Sequence, residues 1–217
     1  NEANQVLIGS LLGDGNLSKN LTSSYKATHC KAQKEYLIWK KQILDLPSYD
    51  LTPTKNNAFR FETKHLPHLN YYHTLFYPTG KKIVTREILD KLEPLGVAVW
   101  YMDDGSLYKN RRLVICTNGF THKENVIIQT YFKERWNINF RIEKIIYSNY
   151  PTYYRICLQN YLQIFNFLNI IQPYIHPCLY YKINLPKPKE EISPEISAQN
   201  KKEYMLKYRQ VNKERIK

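Results

Sequence analysis

Two short apolar stretches each end in an aspartate followed by a glycine, and these acids are the residues best placed to do chemistry. The stretches are LIGSLLGDG, which ends at Asp14 and Gly15, and VAVWYMDDG, which ends at Asp104 and Gly105. An apolar run of this length is typical of a buried helix, and a glycine readily ends one. An Asp-Gly pair taken singly is usually only a turn, so the structural alternative stays open for each.

The spacing of the two stretches predicts that the acids meet. Asp14 and Asp104 are ninety positions apart, close to half of the chain that precedes a charged tail. Gly9 and Gly13 form a small face that would let a second helix approach closely, so we predict two helices packed side by side. Their C-terminal ends would then hold two carboxylates where the helix dipoles are also negative. Hard divalent cations, with Mg²⁺ the physiological candidate, would stabilise this arrangement and could activate water for phosphodiester hydrolysis.

The elements that must position these acids recur in the same order. Helical periodicity predicts helices at 3–14, 34–46, 66–77, 94–104, 121–136 and 160–171, with Thr121 capping the fifth. Between them, turn residues and alternating polarity predict hairpins at 16–33, around 56–57 and near 109–112, and strands at 138–147 and 152–158. The order helix, hairpin, helix, hairpin, helix occurs twice, which indicates an internal duplication in an α+β fold.

A lysine closes each half at an equivalent place. The segment PTGKKI contains Lys82, and PCLYYKI, with one residue inserted, contains Lys182. A lysine beside paired acids could stabilise the charge on a phosphate under attack or help to polarise the water. Either lysine alone is more often an ordinary surface charge, and that alternative also stays open.

The composition favours a polyanionic partner. Lys and Arg number 32 against 19 acids, a net charge of +13 that is spread over both halves and the tail. The four cysteines, Cys30, Cys116, Cys157 and Cys178, lack metal-finger spacing and suggest reduced thiols in an intracellular protein. No apolar run reaches the roughly 18 residues of a membrane span. The first residue is not Met, so a targeting segment ahead of it stays possible.

The two Asp-Gly helices, the repeated half and the WYMDDG stretch resemble the LAGLIDADG homing endonucleases in their single-chain, two-repeat form. The resemblance covers residues 3–186. It implies two pseudo-symmetric αββαββα repeats, at 1–92 and 93–186, whose antiparallel sheets form a DNA-binding saddle, followed by the charged tail 187–217. It also implies a monomer that cuts both strands of a long, asymmetric double-stranded DNA target and leaves 3′ overhangs. The cofactor implied is Mg²⁺, for which Ca²⁺ or Mn²⁺ can substitute in crystals.

The resemblance assigns roles residue by residue. Asp14 and Asp104 match the metal-binding acids of the motif, and Lys82 and Lys182 match the basic residues of the active site. The positions just before the acids complete the candidate metal site, although the second of them matches a motif position that does not itself bind metal. These two are Gly13 and Asp103.

DNA contacts are expected from the polar faces of the strands, because Arg, Lys, Asn and Glu side chains on a strand ribbon can reach base edges in the major groove. The alternative is that these side chains are ordinary solvated strand faces. The candidates are Asn16, Ser18, Lys19, Lys26, Thr28 and Arg60 in the first half, and Lys109, Arg112, Arg141, Glu143, Tyr153 and Arg155 in the second. The aromatic residues at helical spacing are instead expected in the core: Tyr71, Tyr72, Phe76, Phe165 and Phe167.

Two other functions fit the same fold. One is an intron RNA maturase, and the other is a DNA-binding protein that does not cleave. Retention of both acids favours cleavage, because neither alternative needs a metal-binding pair. The AT-rich codon usage implied by abundant Asn, Lys, Ile and Tyr points to an organelle-encoded or bacterial cytoplasmic protein.

Overall fold

A computed structural model describes residues 1–185 apart from Lys55, Lys109, Asn110, Tyr147, Asn149 and Tyr150. The predicted tail at 187–217 and the DNA-contact candidate Lys109 therefore lie outside the described residues. The helices are α1 Glu2–Leu12, α2 Lys34–Leu44, α3 Leu69–Phe76, α4 Arg86–Leu89, α5 Pro94–Asp104, α6 His122–Trp136 and α7 Tyr161–Ile171. The strands are β1 Asn16–Lys19, β2 Ser23–Cys30, β3 Thr52–Thr54, β4 Ala58–Glu62, β5 Gly105–Tyr108, β6 Arg112–Ile115, β7 Arg141–Ile145 and β8 Tyr153–Leu158.

The strands form two antiparallel sheets of four, and the sheets share one topology. The first has the order β1-β2-β4-β3 and the second the order β5-β6-β8-β7. Each sheet is preceded, divided and followed by a helix, which confirms the predicted αββαββα order in both halves. The four-residue helix α4, near the end of the first half, was not predicted.

Local sequence signals explain where several helices begin. The side chain of Thr121 accepts a hydrogen bond from the Glu124 amide, and the Glu124 side chain accepts one from the Thr121 amide. This capping box confirms the predicted cap of α6. Helix α5 begins at Pro94, whose missing amide hydrogen and fixed φ suit the first turn of a helix.

Helices α1 and α5 pack against each other through small residues, as predicted. A Cβ atom at Gly9 would lie 2.2 Å from the Gly96 carbonyl oxygen and 2.9 Å from Val99 Cβ. A side chain at Gly9 would therefore separate the helices. Trp100 is fully buried and stacks on Phe132, with ring centroids 6.0 Å apart.

The sheets and outer helices bury one face each. In β2, Tyr25 and Ala27 are buried whereas Lys26 and Thr28, on the opposite face, are partly exposed. This alternation is expected for a sheet that packs one face on the core and exposes the other to solvent.

The prediction that all five helical aromatics lie in the core was wrong in part. Phe76 and Phe167 are fully buried, but 53% of Tyr71 and 44% of Phe165 is exposed. Helical spacing shows which side of a helix a residue occupies, and it cannot show how wide the buried stripe is.

All four cysteines are free thiols. Within the described part of the chain, no helix combines the length and the apolar character needed to cross a membrane.

Candidate active site

The two predicted acids lie at matching ends of the packed helices. Asp14 follows α1 by two residues, and Asp104 is the last residue of α5. Burial and, next, the charge of Asp14 together raise the pKa of Asp104 to about 8. Burial likewise raises the pKa of Asp14 to about 6, with Asp103 as the next cause. The carboxylates are thus near enough to repel, as the duplication predicts.

The two predicted lysines reach the same place from equivalent segments. Lys82 Nζ donates to the carbonyl oxygens of Gly13, at 3.1 Å, and Gly15, at 2.7 Å, on either side of Asp14. Lys182 Nζ donates to the carbonyl oxygen of Met102, at 2.6 Å, in the last turn of α5.

Both ammonium groups are largely withdrawn from water. Burial lowers the pKa of Lys82 and of Lys182, and nearby aspartates, Asp104 for the first and Asp103 for the second, oppose this shift. The structure thus brings four of the predicted site residues into one electrostatic cluster.

The other two candidates have different surroundings. Asp103 has a fully buried side chain, and Lys40 Nζ lies 2.6 Å from its Oδ1 and 2.8 Å from its Oδ2. The Tyr36 hydroxyl donates to Oδ1 at 2.8 Å. Gly13 leaves the room for this carboxylate, because a Cβ there would lie 2.5 Å from Asp103 Cβ. Both oxygens of Asp103 are therefore already engaged by the first half of the chain.

The buried residues around Asp103 include a histidine that faces the site. His29 Nδ1 lies 3.6 Å from Asp14 Oδ2, and His29 Nε2 lies 3.1 Å from Lys40 Nζ. One ligand atom from each of Asp14, His29 and Asp103 lies within 4.8 Å of the other two, a spacing that could hold a metal ion. Burial lowers the pKa of His29 to about 4, with the charge of Lys40 as the next cause, so the ring is neutral near pH 7.

Sequence analysis missed Lys40 and His29. Lys40 occupies the buried stripe of α2, four residues from both Tyr36 and Leu44. A lysine in an apolar stripe is a signal for a buried acidic partner, and this signal was available. Nothing in the local sequence distinguishes His29 from any other residue on the buried face of a strand.

The DNA-contact candidates of the first half mostly share one face of its sheet. The strand register places Asn16 opposite Lys26, and Thr28 opposite Arg60. Ser18 lies on the same face by alternation. Lys19 is exposed, but alternation places it on the opposite face, at the end of β1. Part of this face is internally paired, since Lys26 Nζ lies 3.2 Å from Glu62.

The candidates of the second half surround one acid. Glu143 accepts hydrogen bonds from Arg112 and from Arg155 Nε, the latter at 2.7 Å. The register pairs Glu143 with Arg155 directly, and Arg141 and Tyr153 lie on the same face by alternation. The arginines are therefore held side by side before any partner binds, with only part of their charge neutralised.

A model of the LAGLIDADG DNA endonuclease family matches residues 4–160. The chain belongs to this family. In this LAGLIDADG protein, the two apolar stretches that carry the resemblance form α1 and α5, and Asp14 and Asp104 lie at the C-terminal ends of these helices.

Individual relatives agree with this assignment. The chain is 29% identical over 203 residues to the DNA endonuclease I-ChuI of Chlamydomonas applanata, covering 82% of this chain and 93% of that protein. It is 28% identical over 200 residues to the RecA protein of Mycobacterium shimoidei, covering 84% of this chain and 46% of that protein. The first curated relatives are RecA proteins of which this LAGLIDADG chain spans about half the length or less.

The fold is also that of solved homing endonucleases. The structure of the homing endonuclease I-WcaI bound to its DNA recognition sequence matches with a TM-score of 0.72 and 22% identity, over 85% of this chain and 87% of that one. The predicted LAGLIDADG homing endonuclease fold is thereby confirmed.

Proposed function

We propose that this protein is a site-specific, divalent-metal-dependent endonuclease that cuts both strands of double-stranded DNA. The observation that carries the proposal is the convergence of Asp14 and Asp104 at the ends of two packed helices, each beside a lysine that is largely withdrawn from water. Retention of both acids with both lysines favours a cleaving enzyme over a protein that only binds DNA or intron RNA.

The residues present fit divalent cations, with Mg²⁺ the physiological candidate. The carboxylates of Asp14 and Asp104 are hard oxygen donors, and their raised pKa values indicate that Lys82 and Lys182 do not compensate fully for burial of the charged forms. When bound, such ions polarise the scissile phosphate and activate water. We assign the metal to Asp14 and Asp104. Gly13 and Asp103 stay weaker candidates, since Lys82 and Lys40 already occupy their oxygens.

The lysines would act on the phosphate directly. The two carbonyls bound by Lys82 account for two of the three N–H donors of its ammonium group, and the third can donate to a phosphate oxygen. Lys182 is held in the same way by Met102, with the Asp103 carbonyl oxygen 3.5 Å away. Fixed cations in a site with little water stabilise the negative charge that develops during hydrolysis.

The sheets would supply recognition. Their polar faces carry the side chains suited to base edges and phosphates, and the net charge of +13 favours binding through counterion release. The faces differ, since Arg112 and Arg155 share an acid in the second sheet whereas Thr28 and Arg60 stand opposite each other in the first. We therefore propose a long and imperfectly palindromic target. From the family resemblance we further propose that the enzyme is a monomer that leaves 3′ overhangs. Its composition suggests that it acts in an organelle or a bacterial cytoplasm.

The test is cleavage of a randomised plasmid library with Mg²⁺, followed by sequencing of the ends. We expect one family of related sites, 3′ overhangs, and no cleavage in EDTA or by Asp104→Asn. A folded protein that binds DNA but cuts nothing would refute the enzyme and favour a binding protein. Splicing of an intron RNA that survives Asp104→Asn would identify a separate maturase activity.

A further inference from the structure

The two acids have different neighbours, although they occupy equivalent positions. Continuing the β1–β2 register back to the residue before Asp14 sets Gly13 opposite His29. The β5–β6 register continued in the same way sets Asp103 opposite Thr117. His29 and Thr117 are therefore counterparts, and one half has an imidazole where the other has a hydroxyl.

The contact with Lys40 assigns the tautomer of His29. The ammonium group of Lys40 lies within hydrogen-bond distance of both oxygens of Asp103, of Ser10 Oγ at 2.9 Å and of His29 Nε2 at 3.1 Å. An ammonium group can only donate, so its hydrogen bond with His29 requires Nε2 to be the accepting, bare nitrogen of a neutral ring. The proton of His29 is then on Nδ1, the atom 3.6 Å from Asp14 Oδ2.

The counterpart in the second half is turned away from its acid. The Thr117 hydroxyl donates to Asn125 Oδ1 within the start of α6, and both side chains are buried. Asn125 in turn donates to the carbonyl oxygens of Phe120 and Thr121. Thr117 is thus part of the packing of its own half, whereas His29 presents an N–H to Asp14.

We propose that His29 is a positioning residue for Asp14 alone, held in one tautomer by Lys40, and that it makes the two halves of the metal site unequal. This proposal rests on the function proposed above for its metal-binding and cleavage arms, whereas the tautomer of His29 does not depend on that function. His29 Nδ1 faces Asp14 Oδ2 across 3.6 Å, a distance longer than a hydrogen bond, so the N–H orients this carboxylate through electrostatic attraction. Loss of an outer partner of a metal ligand commonly costs metal affinity or activity about 10-fold or more. Because Asp104 has Thr117 in the matching position, that cost should fall on one half of the site.

The first experiment reads the ring directly in the full chain. Nitrogen-15 spectra of labelled histidine should show His29 as the neutral tautomer with the proton on Nδ1. The variant Lys40→Met should lose this preference if it folds. A proton on Nε2 in the wild-type protein overturns the proposal whether or not the protein cuts DNA.

The second experiment measures Mn²⁺ binding by calorimetry. His29→Ala should weaken the tighter binding event about 10-fold, and His29→Gln, which keeps an N–H donor, should recover part of the loss. Thr117→Val is the matched control from the other half and should stay within about twofold of wild type, since it loses no partner of a ligand. Equal losses in His29→Ala and Thr117→Val overturn the proposal, because they indicate a general effect of core changes.

The third experiment resolves the two DNA strands, each labelled separately on a cleaved target. His29→Ala should slow cleavage of one strand about 10-fold more than cleavage of the other. The more affected strand should be the one whose cleavage is slowed by Lys82→Met. Lys182→Met should favour the opposite strand, because that lysine is bound beside Asp104. Equal slowing of both strands by His29→Ala overturns the proposal, whereas absence of cleavage by the wild-type protein refutes only the proposed function.

Discussion

Replacing Asp104 with Asn should abolish cleavage and stabilise the metal-free protein at pH 8. The pKa of Asp104 is about 8 in the folded state, against the usual 3.8, so between these values the folded protein holds a proton that the unfolded chain releases. Stability conferred by that proton is fully present below about pH 4 and is lost as pH rises to 8. A pKa shift of about four units corresponds to at most roughly 6 kcal/mol of unfolding free energy. Because buried charges in proteins behave as if the effective dielectric constant were near 20, we expect Asp104→Asn to gain only about 2 kcal/mol.

The assay is urea unfolding in EDTA at pH 5 and pH 8. Asp104→Asn should gain stability at pH 8 and much less at pH 5, and Asp14→Asn should gain less, because its pKa is raised only to about 6 and almost half of its side chain is exposed. Asp50→Asn is the control, since the Asp50 side chain is fully exposed and should show no such dependence. An Asp104→Asn protein that is less stable than wild type at pH 8 would refute the account of the site as a cluster that needs cations.

Three further predictions test the scaffold and the metal. Gly9→Ala should cost about 3 kcal/mol in urea unfolding, because its Cβ would meet the Gly96 carbonyl oxygen at 2.2 Å and α1 and α5 must separate. Lys40→Met should cost about 3–5 kcal/mol by leaving Asp103 buried and unpaired, whereas Lys41→Met, at a more exposed pair, should cost less than about 1 kcal/mol. Mg²⁺ at 100 times its dissociation constant should raise the free energy of unfolding at pH 8 by about 2.7 kcal/mol, and an excess of EDTA should reverse the gain; unchanged melting temperatures would count against a metal site.

The sequence was sufficient for the elements and for the paired acids. The two apolar stretches and the Thr121 cap mark three of the helices, although Val126, which the periodicity of α6 predicts to be buried, is 39% exposed. The ninety-residue spacing identifies Asp14 and Asp104 as counterparts. The equivalent segments likewise bring Lys82 and Lys182 to the carbonyl oxygens near these acids. These inferences succeeded because a duplicated fold repeats its contacts in both halves.

Residues that break the duplication were harder to find. Lys40 lies on α2 with its acidic partner on α5, and no local pattern connects residues that far apart in the chain. His29 looks like any residue on the buried face of a strand until Asp14 is placed beside it. Helix α4 spans only four residues, too few to show a period.

The residue before each acid differs between the halves, and this difference accounts for their unequal contacts. Gly13 has no side chain, so the carboxylate of Asp103 enters the first half and meets Lys40 there. Two copies of the first half would pair Lys40 with a glycine and leave a buried ammonium group without its carboxylate, which is strongly destabilising. Lys40, which holds this carboxylate, also lies 3.1 Å from His29 Nε2, and His29 Nδ1 lies 3.6 Å from Asp14 Oδ2. The proposed asymmetry of the metal site would therefore have the same physical origin as the asymmetry of the scaffold.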